Sequence, residues 1–274
     1  MNDPAEHVSN PVSKIKLNHI SMRYGDRDAS WVLRDIDLSI APGEFHVFLG
    51  ASGCGKSTLM NIISGFLAPT EGSVEVDGEP VTGPGPERGV VFQNADEAVF
   101  PWMTVEQNVA YGLKLQKLSR DVITEKVSHC IGLVNLTGHE AKYPDALSGG
   151  MRQRLQIARS LAVDPEILIM DEPFGALDPK TRSTLQDELL GIWTATNKTI
   201  LFVTHDIAEA VYLSQKISIL SAAPEAHIYR EVSVDAEHRR DIATEPLKSL
   251  VDRVTRWVNS AAEVHVHDGF MEAI

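Results

Sequence analysis

Apolar and polar positions along the chain follow two periods. Between 14 and 81 the spacing is mostly that of strands. Ile36, Leu38 and Ile40 alternate with polar residues, and so do Val74 and Val76, which run into Asp77-Gly78, a hairpin-turn pair. "FHVFLG" (45–50), "GVVFQ" (89–93), "ILIMD" (167–171), "TILFVTH" (199–205) and "KISIL" (216–220) are compact apolar runs. Strands buried on both faces have this pattern, and helical stretches separate several of them, the first at 56–65. A largely parallel sheet with helices on its faces is predicted. From Gln93 to Leu161 the period becomes helical: Thr104 and Gln107 have capping-box spacing, and Ile123, Val127, Cys130 and Ile131 share a face. This predicts a helical subdomain inserted into the sheet domain. Leu185, Leu189, Ile192 and Trp193 mark a later core-facing helix. After Pro246, residues Leu247, Leu250, Val251, Val254, Trp257 and Val258 form an amphipathic stripe that packs either on its own domain or on a partner.

Composition narrows the class. With 274 residues, 43% of them apolar, the chain forms one large domain or one domain with an insertion. The formal net charge of −13 argues against a nucleic-acid binder. No apolar run is long enough to span a bilayer. The start, "MNDPAEHVSNPVSK", is polar and lacks the apolar segment of a secretion signal, so 1–13 is expected to be a disordered lead-in. The two cysteines, Cys54 and Cys130, lie far apart, which fits a reducing compartment without disulfide or zinc cage. "HVHD" (265–268) invites a metal reading, but two histidines in a tail are a weak signal.

The chemistry is concentrated at the ends of the apolar runs. "GASGCGKS", Gly50 to Ser57, fits G-x-x-x-x-G-K-[ST], follows a predicted strand and opens a predicted helix. Gly50, Gly53 and Gly55 let backbone N–H groups wrap phosphates, with Ser52, Cys54 and Thr58 on the same loop and first turn. Lys56 reaches the β- and γ-phosphates and the Ser57 hydroxyl ligates Mg²⁺. Cys54, beside Lys56 and a helix N-terminus, is either an acidified thiol or a small spacer. Asp171 and Glu172 end a buried strand: the first can hold a metal, the second can orient or deprotonate an attacking water. His205 ends another strand at the same carboxyl edge and is assigned a γ-phosphate contact. Asp206 with Glu209 is read as the cap of the next helix. A second glycine loop, "LSGGMRQR" (147–154), opens a helix about a hundred residues downstream, another N-terminus suited to an anion. Arg152, Arg154 and Arg159 are read as solvent-facing on that helix.

Together these motifs resemble the nucleotide-binding subunit of an ATP-binding cassette (ABC) transporter, over about Ile15 to Ile228. "GASGCGKS" is similar to the Walker A loop, "ILIMDE" to Walker B with the catalytic glutamate, "LSGGMRQR" to the signature, and "ALD" (176–178) to the D-loop. His205 is similar to the switch histidine, Gln93 to the Q-loop glutamine and Tyr24 to the aromatic that stacks on adenine. The resemblance implies an α/β P-loop NTPase cassette: a RecA-like mixed sheet core, an antiparallel β subdomain and an inserted α-helical subdomain. It divides the chain into a lead-in (1–13), the cassette (14–235, helical subdomain 94–161) and a helical extension (236–274). The implied cofactors are ATP and Mg²⁺, the metal held by Ser57, Gln93 and Asp171. Two copies pair head to tail, so that Ser148, Gly149, Gly150 and Asp178 meet the nucleotide bound by the partner, and this answers why one chain carries two glycine loops.

The Pro101-Trp102 pair and the tracts "DEPFGALDPKTRSTLQDELLGIW" and "THDIAEAVYLSQKISILS" resemble the nitrate/sulfonate/taurine import branch. That implies a homodimer at the cytoplasmic face of the membrane, integral membrane permease subunits, a periplasmic or lipid-anchored substrate-binding protein and no nucleic acid. Two features depart from the branch: the tract from Gln93 to Pro101 is longer, and "SAAPEAHIY" replaces an arginine-proline-glycine turn. The acidic "ADEA" (95–98) is read either as a contact for a basic coupling helix of the permease or as a solvated loop tip. The competing class, a soluble ABC ATPase acting on nucleic acid or ribosomes, typically needs two cassettes or a long coiled-coil insert, and this chain has neither.

Overall fold

The computed structural model describes residues 13–26, 28–235 and 245–268. The expected lead-in therefore lies almost wholly outside the described residues, as do the side chains of the "HVHD" tract.

The central strand is β3 (Phe45–Leu49), and all of its residues are buried. That is why its sequence is a continuous apolar run rather than an alternation. It pairs in parallel with β8 (Thr199–Thr204) and β9 (Lys216–Leu220). Beyond β8 lie β7 (Ile167–Asp171) and β6 (Arg88–Val91), also parallel. At the other edge β10 (Ile228–Ser233) runs antiparallel to β9, so the six-stranded sheet is mixed. Register decides what meets what: Leu49 lies opposite Thr204, and Asp171 opposite Val203. The carboxyl ends of β3, β8 and β7 thus stand side by side, and the residues that follow each strand share one edge.

A second, antiparallel sheet has the order β2-β1-β4-β5, with β1 (Ile15–Arg23), β2 (Trp31–Ile40), β4 (Glu71–Val76) and β5 (Glu79–Pro80). Asp77 (φ 51°) and Gly78 (φ 82°) close the β4–β5 hairpin with both central residues left-handed, as a primed turn requires.

Helix α1 (Lys56–Ser64) links the two sheets and stops at Gly65, whose φ is 82°. A Cβ there would lie 2.2 Å from the Gly83 carbonyl oxygen. Gly65→Ala therefore combines a left-handed backbone with a clash against main chain. It should destabilise the fold by about 2 kcal/mol, read as a lowered midpoint in urea unfolding.

The inserted stretch contains α2 (Ala95–Ala98), α3 (Val105–Leu115), α4 (Arg120–Leu133) and α5 (Gly149–Ala162). Both bonds of the Thr104/Gln107 capping box form, at 3.3 and 3.0 Å. Val109, Leu113, Val127, Ile131, Leu155 and Ile157 bury their side chains in the same apolar cluster as the sheet. Three further helices follow, α6 (Pro179–Thr196), α7 (Ile207–Leu213) and α8 (Glu245–Asp268). The amphipathic stripe of α8 packs on its own fold: Leu247, Leu250, Val254 and Ala261 are buried, and the helix lies against α7 and β9. The Arg230 guanidinium covers the Trp257 ring at 4.7 Å. Among the described residues no helix is long and apolar enough to cross a membrane.

Candidate active site

The loop between β3 and α1 holds its shape through glycines with no substitute. Gly53 and Gly55 have φ of 81° and 96°, and a Cβ on Gly55 would sit 2.6 Å from Leu33 Cδ2. No side chain caps α1, and its first turn carries no acidic residue. Its leading N–H groups are thus left for an anionic ligand. Lys56 Nζ donates to the carbonyl oxygens of Gly50 and Ala51, each at 2.8 Å, and stands 4.0 Å from Glu172 Oε1. A cavity of about 330 Å³ opens here, lined by Ser52, Gly53, Gly55, Lys56, Ser57 and Thr58, and by Val32, Gln93 and Glu172. Tyr24 is 54% exposed, with its hydroxyl 3.2 Å from Oγ1 of the cavity-lining Thr58. Sequence reasoning missed Val32, because on β2 it reads as one more strand residue.

Gly50 and Cys54 do not line this cavity. Cys54 is buried, and a Cβ on Gly50 would lie 2.8 Å from its sulfur. Burial pushes the thiol above its ordinary pKa, against the pull of the Lys56 charge. The acidified-thiol reading is thereby corrected: Cys54 is a small buried spacer, and only its backbone is available to a ligand.

The strand ends supply the rest. Burial raises the Asp171 carboxyl above its ordinary pKa, the Ser57 hydroxyl opposes this by hydrogen bonding, and the Glu172 charge adds to it. Asp171 Oδ1 is buried with no hydrogen-bond partner. A desolvated carboxylate with an orphaned oxygen, beside a serine hydroxyl, is a donor set that fits a hard divalent cation. Glu172 adopts a left-handed backbone (φ 42°), a conformation that the surrounding structure must hold in place. Its Oε2 lies 3.1 Å from His205 Nδ1. One carboxylate thus faces the loop lysine and the histidine at once.

Ser148, Gly149 and Asp178 are exposed, and neither they nor Gly150 line the cavity. Ser148 caps α5 by accepting from Met151 N–H, and Asp178 caps α6 by accepting from Thr181 N–H at 3.1 Å. Gly150 is required by packing, since a Cβ would lie 2.6 Å from Thr181 Cγ2. The structure therefore gathers Ser52, Gly53, Gly55 to Thr58, Gln93, Asp171, Glu172, His205 and Tyr24 at one edge, and sets the second glycine loop apart.

Two further readings need correction, and a third holds with one change. The arginines of α5 do not face solvent freely. Arg152 pairs with Asp96 and donates to the Leu147 carbonyl. Arg154 grips Glu188 with two hydrogen bonds of 2.9 Å. Arg159 lies 4.7 Å over the Phe100 ring. Nor is "ADEA" a free loop tip: it forms α2, capped by Asn94 and tied to α5 through Asp96. Asp206 caps α7 alone, accepting from Glu209 N–H at 3.0 Å. The Glu209 side chain instead turns inward to accept from Gln186 Nε2 at 2.9 Å, and burial raises its pKa.

A phosphate loop at the end of a central parallel strand, with an orphaned carboxylate and an acid–histidine pair on the neighbouring strand ends, defines a P-loop nucleoside triphosphatase. Residues 33–175 match the ABC transporter family model, and the chain belongs to that family. It is 45% identical over 240 residues to the taurine import ATP-binding protein of Burkholderia pseudomallei (strain K96243), covering 87% of this chain and 91% of that one. It is 47% identical over 211 residues to the nitrate import ATP-binding protein of Synechocystis sp. (strain ATCC 27184 / PCC 6803 / Kazusa), covering 77% and 78%. A solved dimeric ATP-binding cassette, in a post-hydrolysis state bound to ADP and Pi, superposes with a TM-score of 0.70 at 30% identity, covering 81% of this chain and 99% of that one. The chain is an ATPase cassette of ABC architecture, with a mixed sheet and a separate antiparallel sheet.

Proposed function

We propose that this chain, its cassette spanning 14–235, drives import of a small anionic or zwitterionic solute of the taurine, sulfonate or nitrate kind. It works as a head-to-tail homodimer beneath a separate permease, at the cytoplasmic face of the membrane, with a substrate-binding protein delivering the solute. The observation that carries the dimer is the separation of the two glycine loops. Ser148, Gly149 and Asp178 sit exposed outside the cavity that Lys56 and Glu172 line. An exposed glycine loop outside its own chain's cavity meets a nucleotide only when a second copy brings one there.

In this reading Tyr24 stacks on adenine, the loop amides and Lys56 hold the phosphates, and Ser148 and Gly150 of one copy close on the γ-phosphate held by the other. Ser57, Asp171 and Gln93 would hold Mg²⁺, which when bound would supply charge neutralisation on the phosphate oxygens. Glu172 accepts a proton from the attacking water, and His205 holds the carboxylate and the γ-phosphate in register. Hydrolysis removes the contact that joins the copies and frees the dimer to open. The permease side is the surface around Gln93, where Phe92 before it and Trp102 after it are 43% and 69% exposed and Phe66 stacks on Phe92. Exposed aromatics suit a docked helix.

The test is uptake in cells that rely on taurine, an alkyl sulfonate or nitrate as sole sulfur or nitrogen source. Replacing the chain by its Lys56→Ala variant should abolish growth on one of them. Unchanged growth and uptake on all three would contradict the import reading.

A further inference from the structure

We propose that Arg182 is a positioning residue that ties the Glu172–His205 pair to the face carrying the signature loop. The proposal rests on the reading of Glu172 and His205 as the hydrolytic groups.

Arg182 lies in the first turns of α6. Its Nη2 donates to the Leu177 carbonyl in the D-loop at 3.2 Å, and its Nη1 stands 3.7 Å from Asp206 Oδ2. It borders, with Glu172, Thr204, His205, Asp206 and Glu209, a small polar cavity of about 40 Å³ beside the acid–histidine pair. Asp206 is held from the other side as well, its Oδ1 capping α7. The residue next to it in the chain is His205, whose Nδ1 meets Glu172.

The other end of this path is the signature loop. Leu177 Cδ2 lies 3.9 Å from the Cβ position of Gly149, and Thr181 Cγ2 lies 2.6 Å from that of Gly150. The D-loop and the first turn of α6 thus lie beside the signature glycines, and Arg182, next in the chain to Thr181, joins that segment to Asp206, next in the chain to His205. Arg182 is the link between the loop that senses a partner's nucleotide and the carboxylate that serves the chain's own.

The chemistry of arginine suits this place. A guanidinium is a rigid planar fork, and here one nitrogen donates to a carbonyl while the other sets its charge beside a carboxylate. A lysine ammonium reaches one of them and leaves the other. Glu172, in its left-handed conformation, depends on its neighbours for its aim. A displacement of about 1 Å at such a group costs about 10²-fold in rate.

Steady-state ATPase assays on the full chain test this with Arg182→Met, Arg182→Lys and Glu172→Gln in parallel. Arg182→Met should lower kcat about tenfold or more while KM for ATP stays within about twofold, and Arg182→Lys should fall between it and the unaltered chain. A purely structural role would move ATP affinity and thermal stability together with kcat, and Lys would give no recovery. That pattern, or wild-type kcat in the Met variant, overturns the proposal. Should the Met variant fail to fold, the Lys variant decides: reduced kcat at unchanged KM supports the assignment, and wild-type kcat refutes it. If Glu172→Gln itself turns over normally, the underlying site reading has failed. If Glu172→Gln is inactive while both Arg182 variants are normal, only the positioning role is lost.

Discussion

Glu172→Gln should lower ATP turnover by about 10²- to 10³-fold while ATP still binds. Glutamine has nearly the shape of glutamate and keeps an oxygen for His205, whose Nδ1 lies 3.1 Å from Oε2 in the native pair. It cannot accept a proton from water at neutral pH. Binding depends on other groups, namely the loop amides, Lys56 and Ser57, which the substitution leaves in place. The bound nucleotide is then never cut, the contact it makes with a second copy is never released, and the ATP-bound dimer accumulates. Size-exclusion chromatography with ATP should move the variant to twice the monomer mass, and a phosphate-release assay should read near background. Normal phosphate release by the variant would remove Glu172 from the role of base.

The second large effect is on binding. Lys56→Ala should weaken ATP affinity by about 10- to 100-fold, the equivalent of one charge-assisted hydrogen bond at about 1.5–3 kcal/mol. The Lys56 side chain is buried and held by the carbonyls of Gly50 and Ala51. Its ammonium is thus already in place when the phosphates arrive, and little side-chain entropy is lost on binding. Alanine takes the Lys56 donor away from both carbonyls and removes the only lysine or arginine among the residues lining the described cavity. Isothermal titration with a non-hydrolysable ATP analogue measures the loss. An unchanged dissociation constant would mean that the phosphates lie elsewhere.

Much of this architecture was legible in local pattern. The apolar runs at β3, β7, β8 and β9 are strands because buried parallel strands tolerate polar side chains poorly on either face, and each run fell where the structure has a strand. The Thr104/Gln107 box was readable because both of its bonds are made within one turn. What escaped was decided by contacts between distant segments. Arg152, Arg154 and Arg159 sit on a helix whose pattern points them outward, yet each finds a partner on another segment: Asp96, Glu188 and Phe100. The short helix α2 was hidden because four residues carry no period. Glu209 has the spacing of a capping partner, but its carboxyl is drawn inward by Gln186. Val32 and Arg182 have no local signature at all; both reach the site region through the packing of separate elements. Of the two readings of Cys54, the small spacer holds, because burial outweighs the pull of the neighbouring Lys56 charge.

The split of one reaction centre over two copies is tested most directly by specific ATPase activity as a function of protein concentration, at saturating ATP and Mg²⁺. A composite site predicts that activity per chain rises with concentration as dimers form, reaches a plateau, and falls toward zero on dilution. Activity per chain that stays constant down to concentrations at which sedimentation shows only monomer would contradict it.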